Sequence, residues 1–201
     1  SECGAFGPRF AFWLSLLLLP ACASMQSQSP SVELQRVHPA GAQRISFSPS
    51  GALLASGGIR GDLRIWTVPD GSPVQVLPRQ ASSIRGLAWL DDRHLLSVDK
   101  RGNLAAWDLD RKDPVATARL GPVQNMVISG DRRWLLIAQN QRLLRLDSDN
   151  LESLAVIDMP ARVLSAAIGP DGARVAASLS DGSVWLLDSG LRQRSGLPPA
   201  D

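Results

Sequence analysis

The chain has 201 residues, of which 44% are apolar, enough for one sizeable domain or for a row of repeats. Its 21 basic and 19 acidic residues leave a formal charge of +2, which excludes a strong general attraction to nucleic acid or to membrane surfaces. The only cysteines are Cys3 and Cys22, so the remaining sequence cannot build a disulfide framework or a cysteine-based metal site.

An apolar run occupies residues 10–19 near the start of the sequence. It is too short to cross a bilayer as a helix, which takes about 20 apolar residues. Arg9 precedes the run and small residues follow it, which is the order typical of a secretory signal. The run leads into Leu19-Pro-Ala-Cys22, which resembles the lipobox of bacterial lipoproteins. That resemblance implies a signal peptide over residues 1–21 and lipid on Cys22.

The mature protein would then begin with a tether and face the periplasm. Residues 22–31 are polar and low in complexity, as expected of a flexible linker between a lipid anchor and a domain. The expected location is the bacterial cell envelope, with the lipid on Cys22 holding the protein to a membrane. An ordinary signal peptide cut near Ala21 or Ala23 is the alternative, and it predicts a periplasmic or secreted protein.

From residue 32 onward, two apolar markers recur at a fixed period. The first marker ends an apolar stretch just before a polar turn, at Phe47, Trp89, Ile128 and Ile168, with spacings of 42, 39 and 40 residues. The second marker ends the next apolar stretch, at Trp66, Trp107, Leu146 and Leu187, with spacings of 41, 39 and 41 residues. A repeat of about 40 residues made of strands and turns is typical of propeller blades.

The residues at these markers resemble the WD40 repeat family. Phe47-Ser-Pro-Ser-Gly51 resembles the family's turn, and Trp107-Asp108 is a literal WD dipeptide. Asp147 and Asp188 end partial dipeptides, and His38 stands at the spacing of the family's histidine. The resemblance implies an all-β fold, a β-propeller of four-stranded antiparallel blades. About four repeats fall in residues 32–201, at approximately 38–78, 79–119, 120–159 and 160–201.

In this family a His, a Ser or Thr, an Asp and the Trp form a hydrogen-bonded network within a blade. The corresponding residues here are His38, Ser56 and Trp66 in the first repeat, Ser97 and Trp107 in the second, Asn140 in the third and Asp181 in the fourth. Arg60 and Arg101 occupy the place of the Asp, six residues before each Trp. We therefore expect every network to be incomplete and the stacked apolar strands to supply most of the stability.

Nothing in the sequence indicates an enzyme. It contains neither a nucleophile elbow nor a zinc-protease, CxxC or phosphate-loop motif, so we expect no catalytic residues, no cofactor and no metal. His94 beside Asp91 and Asp92 is interpreted as a turn residue. The expected partner is a protein or peptide, and no nucleic acid is expected.

Four arginines are candidates for partner binding. Arg60 and Arg101 fall in turns between second and third strands, which in WD40 propellers open on the face that binds partners. Arg79 and Arg119 lie in the connections that lead into the next blades, on the same face by the family's geometry. Together they would form a basic arc for an acidic segment; the alternative is that they are scattered, solvated surface arginines.

The functional prediction is a non-catalytic interaction or scaffold module exported to the cell envelope. The alternative is that the blades are the non-catalytic part of a longer envelope enzyme or sensor. Residues 32–37 are predicted to form a further outer strand ahead of the first full repeat, of the kind that closes complete rings. Four blades are fewer than such rings usually contain, so we expect a piece of a larger propeller that self-associates when alone.

Overall fold

The computed structural model describes residues 33–34 and 36–197, and side chains as far as residue 192. Within these residues, sixteen strands form four antiparallel sheets of four strands each, and strands follow one another along the chain within each sheet. Blade one contains β1 to β4, namely Ala42–Phe47, Leu53–Gly58, Leu63–Thr67 and Pro73–Leu77. Blade two contains β5 to β8, namely Ile84–Trp89, His94–Asp99, Asn103–Asp108 and Ala116–Arg119.

The second half of the described chain repeats this plan. Blade three contains β9 to β12, namely Val123–Ile128, Trp134–Gln139, Arg142–Asp147 and Ser153–Asp158. Blade four contains β13 to β16, namely Val163–Ile168, Arg174–Leu179, Val184–Asp188 and Gln193–Leu197. Four-stranded antiparallel blades without a helix among the described residues confirm the predicted fold class. The described residues also contain no helix of the length and hydrophobicity needed to cross a bilayer.

Consecutive blades stack face to face, because each sheet is apolar on both sides. In blade one, Ala55, Leu63 and Ile65 point toward blade two and pack in one cluster with Trp89 and Leu95. Equivalent clusters lie between blades two and three and between blades three and four. We call the side of a blade that faces the next blade its following face, and the opposite side its preceding face.

The prediction of an extra outer strand over residues 32–37 was wrong for those of its residues that the structure describes. Residues 33, 34, 36 and 37 lie in loop and turn, and Arg36 has a left-handed backbone with a φ of 50°. An extended strand cannot continue through that conformation. Blade four has its own outer strand instead, because Gln193–Leu197 pairs with Val184–Asp188.

Candidate functional site

Blade one contains a hydrogen-bonded chain that crosses its preceding face. The indole N–H of Trp66 donates to Ser56 Oγ over 2.8 Å, and Ser56 Oγ lies 2.8 Å from His38 Nε2. The other ring nitrogen of His38, Nδ1, bonds to the carboxylate of Asp62. A His38 tautomer with its proton on Nδ1 satisfies every partner, because Nε2 then accepts the Ser56 hydroxyl proton.

The prediction that this network lacks its acid was therefore wrong. Asp62 supplies the carboxylate from a place four residues before Trp66, while Arg60 at the expected place points to solvent. Burial alone would raise the pKa of Asp62, but the hydrogen bonds from His38 and from its own backbone N–H outweigh burial and hold the pKa below 3.8. The Gly61-Asp62 pair just before the third strand was the sequence signal that could have identified Asp62 as the acid of the network.

Blade two has a shorter version of the same network. The indole N–H of Trp107 donates to Ser97 Oγ over 2.8 Å, and both side chains are buried. Asp99 is completely buried and accepts from the Asn103 side-chain amide at 2.8 Å and from its backbone N–H at 3.0 Å. Gln80 donates to the carbonyl of Asn103 over 3.0 Å, so it ties this turn to the connection before the blade.

The predicted aspartates of the repeats hold turns at the ends of the blades. Asp108, Asp147 and Asp188 each accept a backbone N–H from the turn that follows the third strand, over 2.9 to 3.1 Å. Asp181 accepts both the hydroxyl and the backbone N–H of Ser183 at 2.7 and 2.9 Å, and these bonds lower its pKa. These contacts are those of Asx turns, which favour Asp for local hydrogen bonding.

The four candidate arginines lie at one end of the blades, and we call this end the arginine face. Arg60 is in the turn between β2 and β3. Arg79 donates through Nε to the backbone carbonyl oxygen of Arg60 over 2.5 Å. Arg101 is in the equivalent turn of blade two, and Arg119 ends the outer strand of that blade. All four are exposed, and none forms an ion pair with the residues that the structure describes. The structure thus brings them to one side as two neighbouring pairs.

Acidic and basic residues are divided unevenly between the two ends of the blades. Between Ala42 and Arg192, the arginine face carries seven basic residues, which are Arg60, Arg79, Lys100, Arg101, Arg119, Arg142 and Arg162. Its four acidic residues are Asp62, Asp99, Asp158 and Asp181. The opposite end carries seven basic residues, which are Arg93, Arg111, Lys112, Arg132, Arg133, Arg174 and Arg192. Its twelve acidic residues are Asp70, Asp91, Asp92, Asp108, Asp110, Asp113, Asp131, Asp147, Asp149, Glu152, Asp171 and Asp188.

The acids of the arginine face are already engaged. Asp62 bonds to His38, and Asp99 is buried against Asn103. Asp158 accepts from Arg142 Nε over 2.8 Å, and Asp181 is bonded to Ser183. Since its seven basic residues outnumber its four carboxylates and the four candidate arginines are exposed, this end carries a net positive charge although the net charge of the chain is only +2.

A groove of about 610 Å³ opens between two of the arginines. Arg79 and Arg119 line it together with apolar groups that include Trp107 and Pro114. A concave, mostly apolar surface with a few charged groups at its edge is the usual form of a binding site for a peptide side chain or a small ligand. The groove therefore runs along blade two, from Arg79 and Arg119 on the arginine face to Pro114 in the connection at the opposite end.

The two histidines differ in their surroundings. His38 is buried within the network of blade one, where both ring nitrogens are occupied. His94 starts β6 and bonds through Nδ1 to the Asp91 carboxylate at 2.8 Å, next to a turn that Asp91 also holds through backbone N–H groups. Within the described part of the chain, no cluster of three or more His, Cys, Asp or Glu side chains could hold a metal ion. Cys22 lies outside the described residues.

The blade that holds the complete network is also the part that matches a known family. Residues 32–67 match a WD40 repeat, in the family described as "WD domain, G-beta repeat". WD repeats are generally found in non-catalytic interaction scaffolds. The match includes all four residues of the hydrogen-bonded network, which are His38, Ser56, Asp62 and Trp66.

Longer WD-repeat proteins are similar to most of the chain. WD repeat-containing protein 1 of Xenopus tropicalis is 24% identical over 81% of this chain and 28% of its own length. The Rattus norvegicus protein of the same name is 25% identical over 71% of this chain and 25% of its own length. The chain thus spans about a quarter of the length of the curated relatives it matches.

Proposed function

We propose that the chain is a non-catalytic protein-interaction module whose arginine face binds an acidic segment of a partner protein. The observation that carries the proposal is the charge division between the two ends of the blades, with Arg60, Arg79, Arg101 and Arg119 exposed and unpaired among the described residues. Complementary charge raises association rates and selects partners, and its effect falls as salt rises. The WD40 match supports a protein or peptide as the class of ligand.

A labelled peptide of alternating Glu and Ser tests the arginine face by fluorescence anisotropy. Replacing Arg60 and Arg101 by Glu turns two attractions into repulsions, and exposed pairs contribute up to about 1 kcal/mol each, so affinity should fall by about tenfold or more. The slope of affinity against salt concentration should also become shallower.

The matched control replaces Arg133 and Arg174 by Glu. Both are exposed at the opposite end of the blades, and the change in net charge is the same. This variant should bind the peptide nearly as well as the wild type. Equal losses in the two variants would mean that only net charge matters, and no loss in either would remove the arginine face as a binding site.

We further propose that the module is held in the bacterial cell envelope by lipid on Cys22, facing the periplasm. The support is the Leu19-Pro-Ala-Cys22 sequence after an apolar run of ten residues. One acyl chain binds membranes only marginally, so stable attachment would use the several chains that a lipoprotein cysteine carries.

The two cysteines of the chain supply the test and its control. Cells that express the chain are grown with a radioactive fatty acid, and the label on the purified protein is counted. Wild type and Cys3→Ser should carry label, whereas Cys22→Ser should not. Equal labelling of all three proteins would show that Cys22 is not the attachment site.

A further inference from the structure

The groove of blade two lies on the preceding face of that blade, beside blade one. Its floor is the third strand β7, where Ala105 and Trp107 belong to the apolar cluster between the two blades. One wall is the outer strand β8, whose Thr117 pairs with Ala105, and the other wall is the connection from blade one over residues 78–81. The groove is therefore a gap between the outer parts of two neighbouring blades, at a junction inside the row.

A small side chain stands where the other blades have a large one. Ala105 lies two residues before the repeat marker Trp107, and the same position is occupied by Arg64, Leu144 and Trp185 in blades one, three and four. Leu144 packs against the cluster between blades two and three, and Trp185 packs against the cluster between blades three and four. Blade two therefore lacks the side chain that fills this place in the two blades that follow it.

The charges at the arginine-face end of the groove also differ from those of blade three. Asn103 and Arg119 are paired across β7 and β8, and Arg142 and Asp158 are paired in the same way across β11 and β12. In blade three Arg142 Nε donates to the Asp158 carboxylate over 2.8 Å, whereas Asn103 gives Arg119 no charge of opposite sign. Among the described residues, neither Arg119 nor Arg79 forms an ion pair. An apolar gap thus ends beside two uncompensated positive charges.

We propose that this groove binds one large apolar side chain, of the size of Leu or Trp, from an acidic segment of a partner protein. Carboxylates next to that side chain in the segment pair with Arg79 and Arg119. The inference rests on the proposed function and deepens it, since the charge brings the segment to the arginine face and the groove selects which segment stays bound. The bound side chain takes the place that Leu144 and Trp185 fill in the later blades.

Charge complementarity favours a partner segment over the ends of this chain as the occupant. Residues 1–32 and 193–201 contain only two acidic residues, Glu2 and Asp201. Neither stretch has acidic residues on both sides of a large apolar residue, which is the pattern that two arginines beside an apolar gap would select. We therefore assign the groove to a separate acidic protein.

Two labelled peptides test the groove on the full wild-type chain by fluorescence anisotropy. One is the peptide of alternating Glu and Ser, and the other has its central Ser replaced by Leu. The Leu peptide should bind about tenfold more tightly, because it buries an apolar side chain in addition to pairing with the arginines. Equal affinities would overturn the groove and leave the arginine face as a binding site, whereas no binding of either peptide would overturn both.

Filling the groove should remove only the additional affinity. Ala105→Leu supplies the side chain that blade three has at this position, so the Leu peptide should bind this variant no better than the Glu-Ser peptide does. Binding of the Glu-Ser peptide should stay at the wild-type value, which also shows that the variant is folded. Ala52→Leu is the matched control, because Ala52 is exposed in a turn at the opposite end of the blades. A tenfold difference that persists in Ala105→Leu, or disappears in Ala52→Leu, would contradict the proposal.

Photochemical cross-linking locates the bound side chain without any substitution in the protein. The Leu of the peptide is replaced by a benzophenone amino acid, and after irradiation the attached residues are identified by mass spectrometry. Adducts should fall within residues 78–81, 103–107 and 114–119, which form the walls and floor of the groove. Adducts confined to other residues would show that the apolar side chain binds elsewhere, and the proposal would be wrong.

Discussion

His38 and Asp62 are joined by a hydrogen bond through Nδ1, although 24 residues separate them along the chain. The bond connects the loop before the first strand of blade one to the turn between its second and third strands. Ser56 and Trp66 extend the connection across the middle of the sheet. The loop at the start of the described domain is therefore fixed by side chains rather than by strand pairing alone, and the turn that presents Arg60 is fixed with it.

Replacing Ser56 by Ala should destabilise blade one. The change leaves the buried indole N–H of Trp66 without an acceptor and His38 Nε2 without a donor. A buried polar group without its partner costs about 1–3 kcal/mol, and the free energy of unfolding should fall by that order. Urea denaturation followed by tryptophan fluorescence measures it.

Ser97→Ala provides the internal comparison. It removes the acceptor of Trp107 but involves no histidine, so it should cost less than Ser56→Ala. Ser180→Ala at an exposed turn should change stability by less than about 0.5 kcal/mol. A smaller effect for Ser56→Ala than for Ser180→Ala would contradict the role given to the network.

Acid should weaken the connection between His38 and Asp62. Because the pKa of Asp62 is lower in the folded protein than its ordinary value of 3.8, the folded state favours the ionised carboxylate. Its contribution to stability is therefore complete above about pH 4 and is lost as pH falls through the lowered pKa. Asp62→Asn cannot ionise and lacks this contribution at every pH.

The measurement is the difference in unfolding free energy between wild type and Asp62→Asn at pH 7 and at pH 3. The difference isolates Asp62, since the other carboxylates titrate in both proteins. We expect the wild type to be more stable at pH 7 and the gap to narrow at pH 3. A gap that stays constant or widens at low pH would show that the carboxylate is not stabilised in its charged form.

The sequence predicted some of this network and missed the rest for physical reasons. The pairs Ser56 with Trp66 and Ser97 with Trp107 have the same spacing of ten residues, which antiparallel pairing of neighbouring strands converts into contact. Asp62 was missed because spacing along the chain pointed to Arg60. The turn between the strands decides which side chain reaches the histidine, and that depends on backbone geometry rather than on distance in sequence.

Other features could not have been read from residue types alone. Phe47 and Trp89 occupy the same position in consecutive repeats, yet one is exposed and the other is buried. The difference arises only from the place of each blade in the row. The uneven division of charge between the two ends of the blades also could not be predicted from residue types. The net charge of +2 gives no sign of it, because the division appears only when each turn is assigned to one end or the other.

The turn after the third strand of blade one should contain an unusually acidic carboxyl group. Thr67 stands where the other blades have an Asp, and its hydroxyl bonds to Asp70. Hydrogen bonds from Thr67 and then from Ser72 lower the pKa of Asp70 to about 2. Carboxyl titration by NMR should show this value in the wild type and a value nearer 3.8 in Thr67→Val. An identical titration in both proteins would remove Thr67 as a cause.

Gly102 should be the least replaceable turn glycine of the arginine face. It follows Arg101, has a φ of +86°, and would place an added Cβ in collision with the carbonyl group of Gly121. Its own carbonyl accepts the Leu120 N–H over 2.9 Å, so the turn and the connection into blade three are held together there. Gly51 has a similar φ of +74° but open space around its Cβ position, which makes it the matched control.

Gly51→Ala should cost about 1–2 kcal/mol, the strain of a left-handed backbone in a residue with a side chain. Gly102→Ala carries the same strain and must also push two backbone segments apart, so its unfolding free energy should fall further. If the arginine face binds acidic peptide, Gly102→Ala should also weaken that binding because Arg101 and Arg119 move with the two segments. Thermal unfolding and peptide anisotropy on both variants check this. Equal losses of unfolding free energy in Gly51→Ala and Gly102→Ala would mean that the close approach of Gly102 to Gly121 does not affect stability.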